Sequence, residues 1–247
     1  MTEQPGYREQ LYQSYASLMD PAGGAAPGKG DAAAARVFSY HFREWLPVDR
    51  AAPILDVACG AGAFLNALQH LGYTHASGVD RSPEQVSIAK NAGSHAVEGN
   101  LFNLLGERHA EFALITGLDI IEHLSKDEAL AFLDLCLRAL RPGGRLILRT
   151  PNGASPWGGM VRYGDFTHEI CFTPDLLVKL LTHVGFTSCT ARECEPIPTG
   201  YSAKSSVRYV GWLGIRTVLK LWNVIETGSP AGGIYTRVFA ATGLKPQ

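Results

Sequence analysis

The sequence has little that would bind a polyelectrolyte, cross a membrane or need an oxidising compartment. Its 247 residues include 22 basic and 23 acidic side chains, a formal net charge of −1. The basic surplus that neutralises nucleic-acid phosphates is missing, so no nucleic-acid partner is expected. Charged residues are 18% of the chain against 46% apolar, which excludes a disordered chain and leaves enough apolar side chains for a sizeable core. Cysteines are few: Cys59, Cys136, Cys171, Cys189 and Cys194 are odd in number and show no CxxC spacing. That argues against a disulfide framework and a structural zinc site. No apolar run reaches the ~18 residues of a membrane span, and the first thirty residues lack the apolar stretch of a signal peptide. A soluble, cytoplasmic protein is expected.

What is present is alternation. From Pro53 onward, short apolar runs alternate with helical patterns. Strands are expected at Ile54 to Ala58, Ala76 to Asp80, His95 to Glu98, Phe112 to Thr116, Arg145 to Thr150, Phe186 to Arg192 and Ile234 to Ala240. Helices are expected at Ala63 to Leu71, Ser82 to Asn91, Lys126 to Leu140 and Pro174 to Val184. Ser82 followed by Pro83 is a fair helix start, since proline at the first turn loses no hydrogen bond. Such a pattern predicts an α/β fold: a doubly wound, mostly parallel seven-stranded sheet of Rossmann-like type with a final antiparallel strand. Two N-terminal helices, Tyr7 to Leu18 and Ala32 to Trp45, flank the Pro/Gly/Ala-rich stretch Pro21 to Gly30. Residues 1–50 therefore read as a helical cap and 51–247 as the main domain, with a helical insertion at about 195–232.

The run from Ile54 to Leu65 carries the first chemical information. A strand passes through Asp56 into Ala58-Cys59-Gly60-Ala61-Gly62, and a helix begins at once. In an open parallel sheet the ligand lies beyond the carboxyl ends of the strands, where strand order reverses. Glycines there let the main chain approach a ligand closely. Asp80 ends the next strand, where a carboxylate can accept hydrogen bonds from both ribose hydroxyls. A dinucleotide fingerprint needs a third glycine where Leu65 stands, and a pyrophosphate sits badly beside Asp56. An acidic group suits instead a ligand with a cationic part, and S-adenosylmethionine combines an ammonium, a sulfonium and a ribose.

Asp56 to Gly62, Asp80 and the Leu140-Arg141-Pro142-Gly143-Gly144 turn together resemble the class I S-adenosylmethionine-dependent methyltransferases, over roughly Pro53 to Arg192. The resemblance implies S-adenosyl-L-methionine as cofactor. It implies that Asp56, Gly60 and Gly62 line the methionine end, with Ala58 standing where the family has a glycine. Asp80 would hold the ribose with Arg81 beside it, Asn100 and Leu101 would face the adenine, and Gly117 and Leu118 would flank the methionine.

Two stretches supply candidates for handling the acceptor. Asp119-Ile120-Ile121-Glu122-His123 follows the fourth strand; if helical, Asp119, Glu122 and His123 share one face. That trio suits a divalent cation and resembles the ExxEH element of ubiquinone-biosynthesis O-methyltransferases; the other reading is that Glu122 and His123 cap and orient the loop. The second stretch, Pro151 to Pro174, is a long loop rich in glycine and aromatics, with Arg162, Asp165, His168 and Glu169. His168 is the expected general base, assisted by Asp165 and His123, and Arg162 could hold a phosphate or carboxylate. Its YGDFTHE segment and the FTP that follows resemble methyltransferases of bacterial surface glycans. A sugar hydroxyl is thus the first expectation for the acceptor, a phenolic or quinone-type small molecule the second. A non-catalytic cofactor-binding module and a nucleotide-dependent oxidoreductase are the rival classes, the latter disfavoured by Leu65 and Asp56.

Outside these stretches, Arg36, Tyr40 and Phe42 are candidates to touch cofactor or acceptor. The helical stretch Ser206 to Glu226 places Ile215, Val218, Leu219, Trp222 and Ile225 on one stripe. Contact with a membrane surface, a dimer contact and packing on the protein's own sheet are all open for it, so monomer and homodimer both stand.

Overall fold

The computed structural model describes residues 6–12, 31–199, 201–229 and 232–247. Seven strands, β1 (Ile54–Val57), β2 (Ala76–Asp80), β3 (Ala96–Glu98), β4 (Phe112–Leu118), β5 (Leu140–Pro151), β6 (Thr187–Glu193) and β7 (Val238–Leu244), form one sheet in the order β3-β2-β1-β4-β5-β7-β6. Only β7 runs antiparallel, against both its neighbours; the pairings among β1 to β5 are parallel. This is the expected doubly wound sheet. β1 is buried along its whole length because helices cover both faces, which is why its sequence is apolar almost without alternation.

The helices are α1 (Tyr7–Tyr12), α2 (Asp31–His41), α3 (Ala63–His70), α4 (Pro83–Asn91), α5 (Leu101–Gly106), α6 (Lys126–Ala139), α7 (Gly158–Tyr163), α8 (Pro174–Val184) and α9 (Ala203–Thr227). Local chemistry fixes their starts. Ser82 accepts from the Gln85 N–H, with Pro83 next in line, and Ser125 forms a reciprocal capping box with Glu128. One core, on one face of the sheet, includes Val57, Ile115, Phe132, Leu148 and Phe239. A second includes Phe38, Phe42, Ile54, Phe64 and Leu114, where the Phe64 ring meets those of Phe38 and Phe42 edge-on. Strand order reverses between β1 and β4, so a cleft opens there at the carboxyl ends of the strands.

Several boundaries depart from expectation for visible reasons. The turn Arg141 to Gly144 lies inside β5 as an irregularity in its pairing with β4. Gly143 takes φ +72°, and a Cβ on Gly144 would meet the Arg141 carbonyl oxygen at 2.8 Å. The last strand starts at Val238, not Ile234, because residues 234 to 236 are used otherwise: Asn152 donates to the carbonyls of Ile234 and Thr236. The long loop after β5 contains α7, and α5 appears where no helix was foreseen. The second N-terminal helix stops at His41. Of the first, residues 13–18, like the stretch 21–30, lie outside the described residues.

α9 corrects one reading outright. It sits between β6 and β7 in sequence, inside the insertion expected at 195–232. Its stripe does not pack on the sheet: Ile215, Val218, Trp222 and Ile225 are exposed, and only Leu219 of the five is half-buried.

Candidate active site

The cleft is lined by Ala58, Gly60, Val79, Asp80, Arg81, Ser82, Gln85, Gly99, Asn100, Leu101 and Phe102 at one end, and by Asp119, Ile120, His123, Leu124, Glu128 and Arg8 at the other. Main-chain geometry builds the first end. Ala58 and Gly60 both take left-handed backbone conformations, φ +54° and +52°. For an alanine this costs about 1 kcal/mol, and it explains why a glycine is usual at this position in the proteins the motif resembles. Asp80 is fixed by the turn it faces: Oδ2 accepts from the Gly60 N–H and Oδ1 from the Ser82 N–H, both at 2.8 Å. Burial raises its pKa, and the hydrogen bonds from Ser82 and Gly60 oppose that shift. Each oxygen keeps a second lone pair for a ligand.

Some expected cofactor residues lie elsewhere. Asp56 is not on the cleft wall. It is buried behind it, opposite Thr116 in the β1–β4 ladder, and accepts the Thr116 hydroxyl at 2.6 Å. Burial pushes its pKa up to about 7. Gly62 is the cap of α3 at φ +80°, where a Cβ would meet Ala89 and Ser94 at 3.0 Å. Its work is close packing. Gly117 and Leu118 are likewise off the wall; a Cβ on Gly117 would crowd Ile120 and Leu148. Asn100 is on the wall, but its amide oxygen caps α5 by accepting the Phe102 N–H at 2.8 Å. Ser82, Gln85, Gly99 and Phe102 were missed, although the Ser-Pro helix start placed Ser82 beside Asp80.

The second end is built from side chains far apart in sequence. Asp119 to His123 is not a helix: only Ile121–His123 make a single 3-10 turn, and Asp119 has φ +59°. Asp119 is therefore held apart from the other two and ion-paired with Arg149. In its place His168 joins Glu122 and His123, with one ligand atom from each of the three within 4.8 Å of the others. The two imidazoles meet edge-on, centroids 4.8 Å apart. Glu122 is buried; Oε2 accepts the Thr150 hydroxyl at 3.0 Å, while Oε1 has no partner among the described residues. Burial, with Asp119 nearby, raises its pKa, a shift that a bound cation would reverse. A carboxylate with an orphaned oxygen beside two imidazoles fits a divalent transition cation of the zinc or iron type better than magnesium.

His168 is not on the cleft wall. Its Nδ1 lies 3.1 Å from the Val161 carbonyl, and Arg162, expected to hold an anion, instead donates to the carbonyls of His168 and Glu169. Both side chains brace the loop. His123 does line the cleft. Asp165 Oδ1 accepts the Thr167 N–H and the Thr167 hydroxyl at 2.8 and 2.7 Å, and Thr167 Oγ1 lies 2.8 Å from His123 Nδ1. With the threonine proton directed at Asp165, its oxygen is left to accept from Nδ1–H, so Nε2 is the basic nitrogen. Burial and the adjacent His168 lower the pKa of His123 to about 4, so the ring is neutral at pH 7.

The N-terminal segment closes the rim with a residue the sequence did not single out. Arg8 donates to both carboxylate oxygens of Glu128 at 2.9 and 2.7 Å and to Glu169, and Tyr7 donates to Glu169. Phe42, by contrast, is in the core, and Tyr40 donates to Glu195. Arg36 and Tyr40 border a separate hollow with His70 and Tyr201.

Residues 7–190 match the family model described as "Methyltransferase domain". Over 110 residues the chain is 33% identical to a ubiquinone biosynthesis O-methyltransferase of Xylella fastidiosa (strain 9a5c), covering 41% of this chain and 42% of that protein. The same-named protein of Xanthomonas campestris pv. campestris (strain B100) is 31% identical over 110 residues, 41% of this chain and 44% of its own length. The chain thus spans about two fifths of the length of these curated relatives. Among solved structures, a SAM-dependent methyltransferase from Archaeoglobus fulgidus superposes with a TM-score of 0.64 at 18% identity, covering 97% of this chain and all of that one. The putative methyltransferase solved with the Haloferax volcanii Trm112 activator gives 0.66 at 15% identity, over 96% and 98% of the two chains.

Proposed function

This chain belongs to the methyltransferase-domain family and is a class I S-adenosylmethionine-dependent methyltransferase, and from that premise we propose that it methylates an oxygen on a phenolic or quinone-type ring. The 110-residue likeness to proteins named for ubiquinone biosynthesis carries this choice of acceptor. It replaces the sugar hydroxyl expected from Tyr163 to Pro174. No helix among the described residues is long and apolar enough to cross a membrane.

In this reading the remaining lone pairs of Asp80 take the ribose hydroxyls, with Arg81 alongside. The left-handed main chain at Ala58 and Gly60 admits the methionine end. The adenine lies against Leu101 and Phe102, since the Asn100 oxygen already caps α5. Asp56 and Gly62 act from behind the wall, shaping the turn. S-adenosylmethionine, when bound, would supply an electrophilic methyl carbon to the acceptor oxygen, with sulfur as the leaving group, and His123 Nε2 would take the acceptor proton. Thr167 and Asp165 hold that imidazole in the tautomer required. A positioned base is worth roughly 10²–10⁴-fold when its pKa lies near the operating pH; the lowered pKa of His123 puts its share toward the lower end of that range. Of the expected cap, α1 reaches the rim through Arg8.

A second reading is favoured by the orphaned Glu122 Oε1. Glu122, His123 and His168 would hold a divalent cation, whose charge, when bound, stabilises an ionised acceptor oxygen.

Incubating the protein with labelled S-adenosylmethionine and parallel panels of catechols, hydroxylated quinone precursors, free sugars and nucleotide sugars tests the acceptor. The expected product by mass analysis is a ring methyl ether. Methylated sugar with every ring compound untouched would restore the glycan reading.

A further inference from the structure

α9 is pinned to the body through one buried carboxylate. Glu193 Oε2 accepts from the Trp212 indole N–H at 3.1 Å and from Arg216 at 3.0 Å, and its Oε1 accepts the Tyr235 N–H at 3.0 Å. These contacts fix which face points away. At 100° per residue, Val207, Val210, Gly211, Gly214, Ile215, Val218, Leu221, Trp222 and Ile225 fall within one half of the helix circumference. All nine are exposed; Val207, Trp222 and Ile225 are 72%, 64% and 77% exposed. Among the described residues, nothing approaches within 4 Å of where a Cβ would stand on Gly211 or Gly214.

The seven apolar residues are each between 55% and 77% exposed, and a contiguous apolar patch of seven large side chains is what a monomer rarely leaves in water and what marks an interface. Charge tells which partner fits. Arg208 and Glu226 are both exposed and stand eighteen residues, five full turns, apart, so they share one flank of the stripe. A two-fold axis at its middle, near Thr217 and Val218, brings Arg208 against Glu226 of the partner subunit, twice over. Of the four cations of α9, Arg216 is spent on Glu193 and Lys220 stands on the body side against Gly233, so Lys204 and Arg208, both near the N-terminal end, are the ones left beside the stripe, and the last turn carries Glu226. A lipid-facing helix would carry cations along its whole length. We propose that the outer face of α9 is a homodimer interface, in which two copies of this chain pack their helices antiparallel about that axis.

Sedimentation velocity on the full chain tests this, with circular dichroism and S-adenosylhomocysteine binding as controls for folding. The expected species has twice the 26.6 kDa of the chain. Val218→Asp should weaken the dimer at least 100-fold. Arg208→Glu should weaken it about tenfold, and adding Glu226→Arg should restore it. A wild-type monomer at micromolar concentration would overturn the proposal, whether or not it pelleted with phosphatidylglycerol vesicles. So would a dimer indifferent to Val218→Asp, or, should that variant not fold, one indifferent to Arg208→Glu.

Discussion

The two ends of the cleft are made in different ways. At the first end, the five-residue turn Ala58 to Gly62 and one acid form the centre: Asp80 holds the N–H groups of Gly60 and Ser82, and these lie within Asp56 to Ser82, with only the short stretch Gly99 to Phe102 and Gln85 added. At the acceptor end, His123 is set by Thr167 and Asp165 from a loop over forty residues away, and the rim is closed by Arg8 from the start of the chain. The first end is main chain held by local bonds; the second is side chains assembled by the whole fold. Binding common to every reaction of the family can be stored in a short backbone motif. Selecting one acceptor requires contacts that only the complete structure brings together.

That contrast can be broken from either side. The largest effect is expected from crossed variants. His123→Ala should lower turnover at least 100-fold while leaving S-adenosylhomocysteine affinity within twofold. Asp80→Ala should weaken that affinity roughly 10–100-fold, the loss of charged hydrogen bonds worth about 1.5–3 kcal/mol. Steady-state kinetics with calorimetric titration reads both, and cofactor binding lost in His123→Ala would merge the two ends.

A middle-sized effect concerns Asp56. Its folded pKa, pushed up to about 7 by burial, lies above the ordinary carboxylate value. The folded state therefore keeps a proton that the unfolded chain gives up. This contribution is fully present below pH 4 and is lost as pH rises from about 4 to 7. Urea titrations across that window should show wild-type stability falling more steeply than that of Asp56→Asn, by a few kcal/mol in total. Parallel slopes would mean that Asp56 ionises alike in both states.

The smallest effect sharpens the comparison. Ala58→Gly removes the left-handed strain and should raise Tm by about 2–4 °C, the shift for ~1 kcal/mol in a domain of this size. An unchanged Tm would mean that the greater freedom of glycine in the unfolded chain offsets the relief.

The same contrast explains what was legible in the sequence. The succession of strands, the place of Asp80 beside the glycine turn and the Ser82 helix start could be read because each is a short pattern with a local cause. Asp56 and Gly62 belong to the recognised motif, yet sit behind the wall, since a motif marks a turn rather than the atoms that turn exposes. The exchange of Asp119 for His168 was not legible. It depends on a 3-10 turn too short to show periodicity and on Arg149, from the neighbouring strand, drawing Asp119 aside. The outward stripe of α9 has the same spacing as a buried one, so pattern alone could not tell which side faces water.

Glu128 serves two masters: it closes the capping box that starts α6, and it grips Arg8 at the rim. Breaking the Arg8–Glu128 pair thus removes an ionic contact at the rim but leaves α6 nucleated, since Ser125 Oγ still accepts from the Glu128 N–H. The rim contact and the helix start are therefore energetically separable, and the part-exposed ion pair at the rim weakens as salt is added to the surrounding medium while the cap does not.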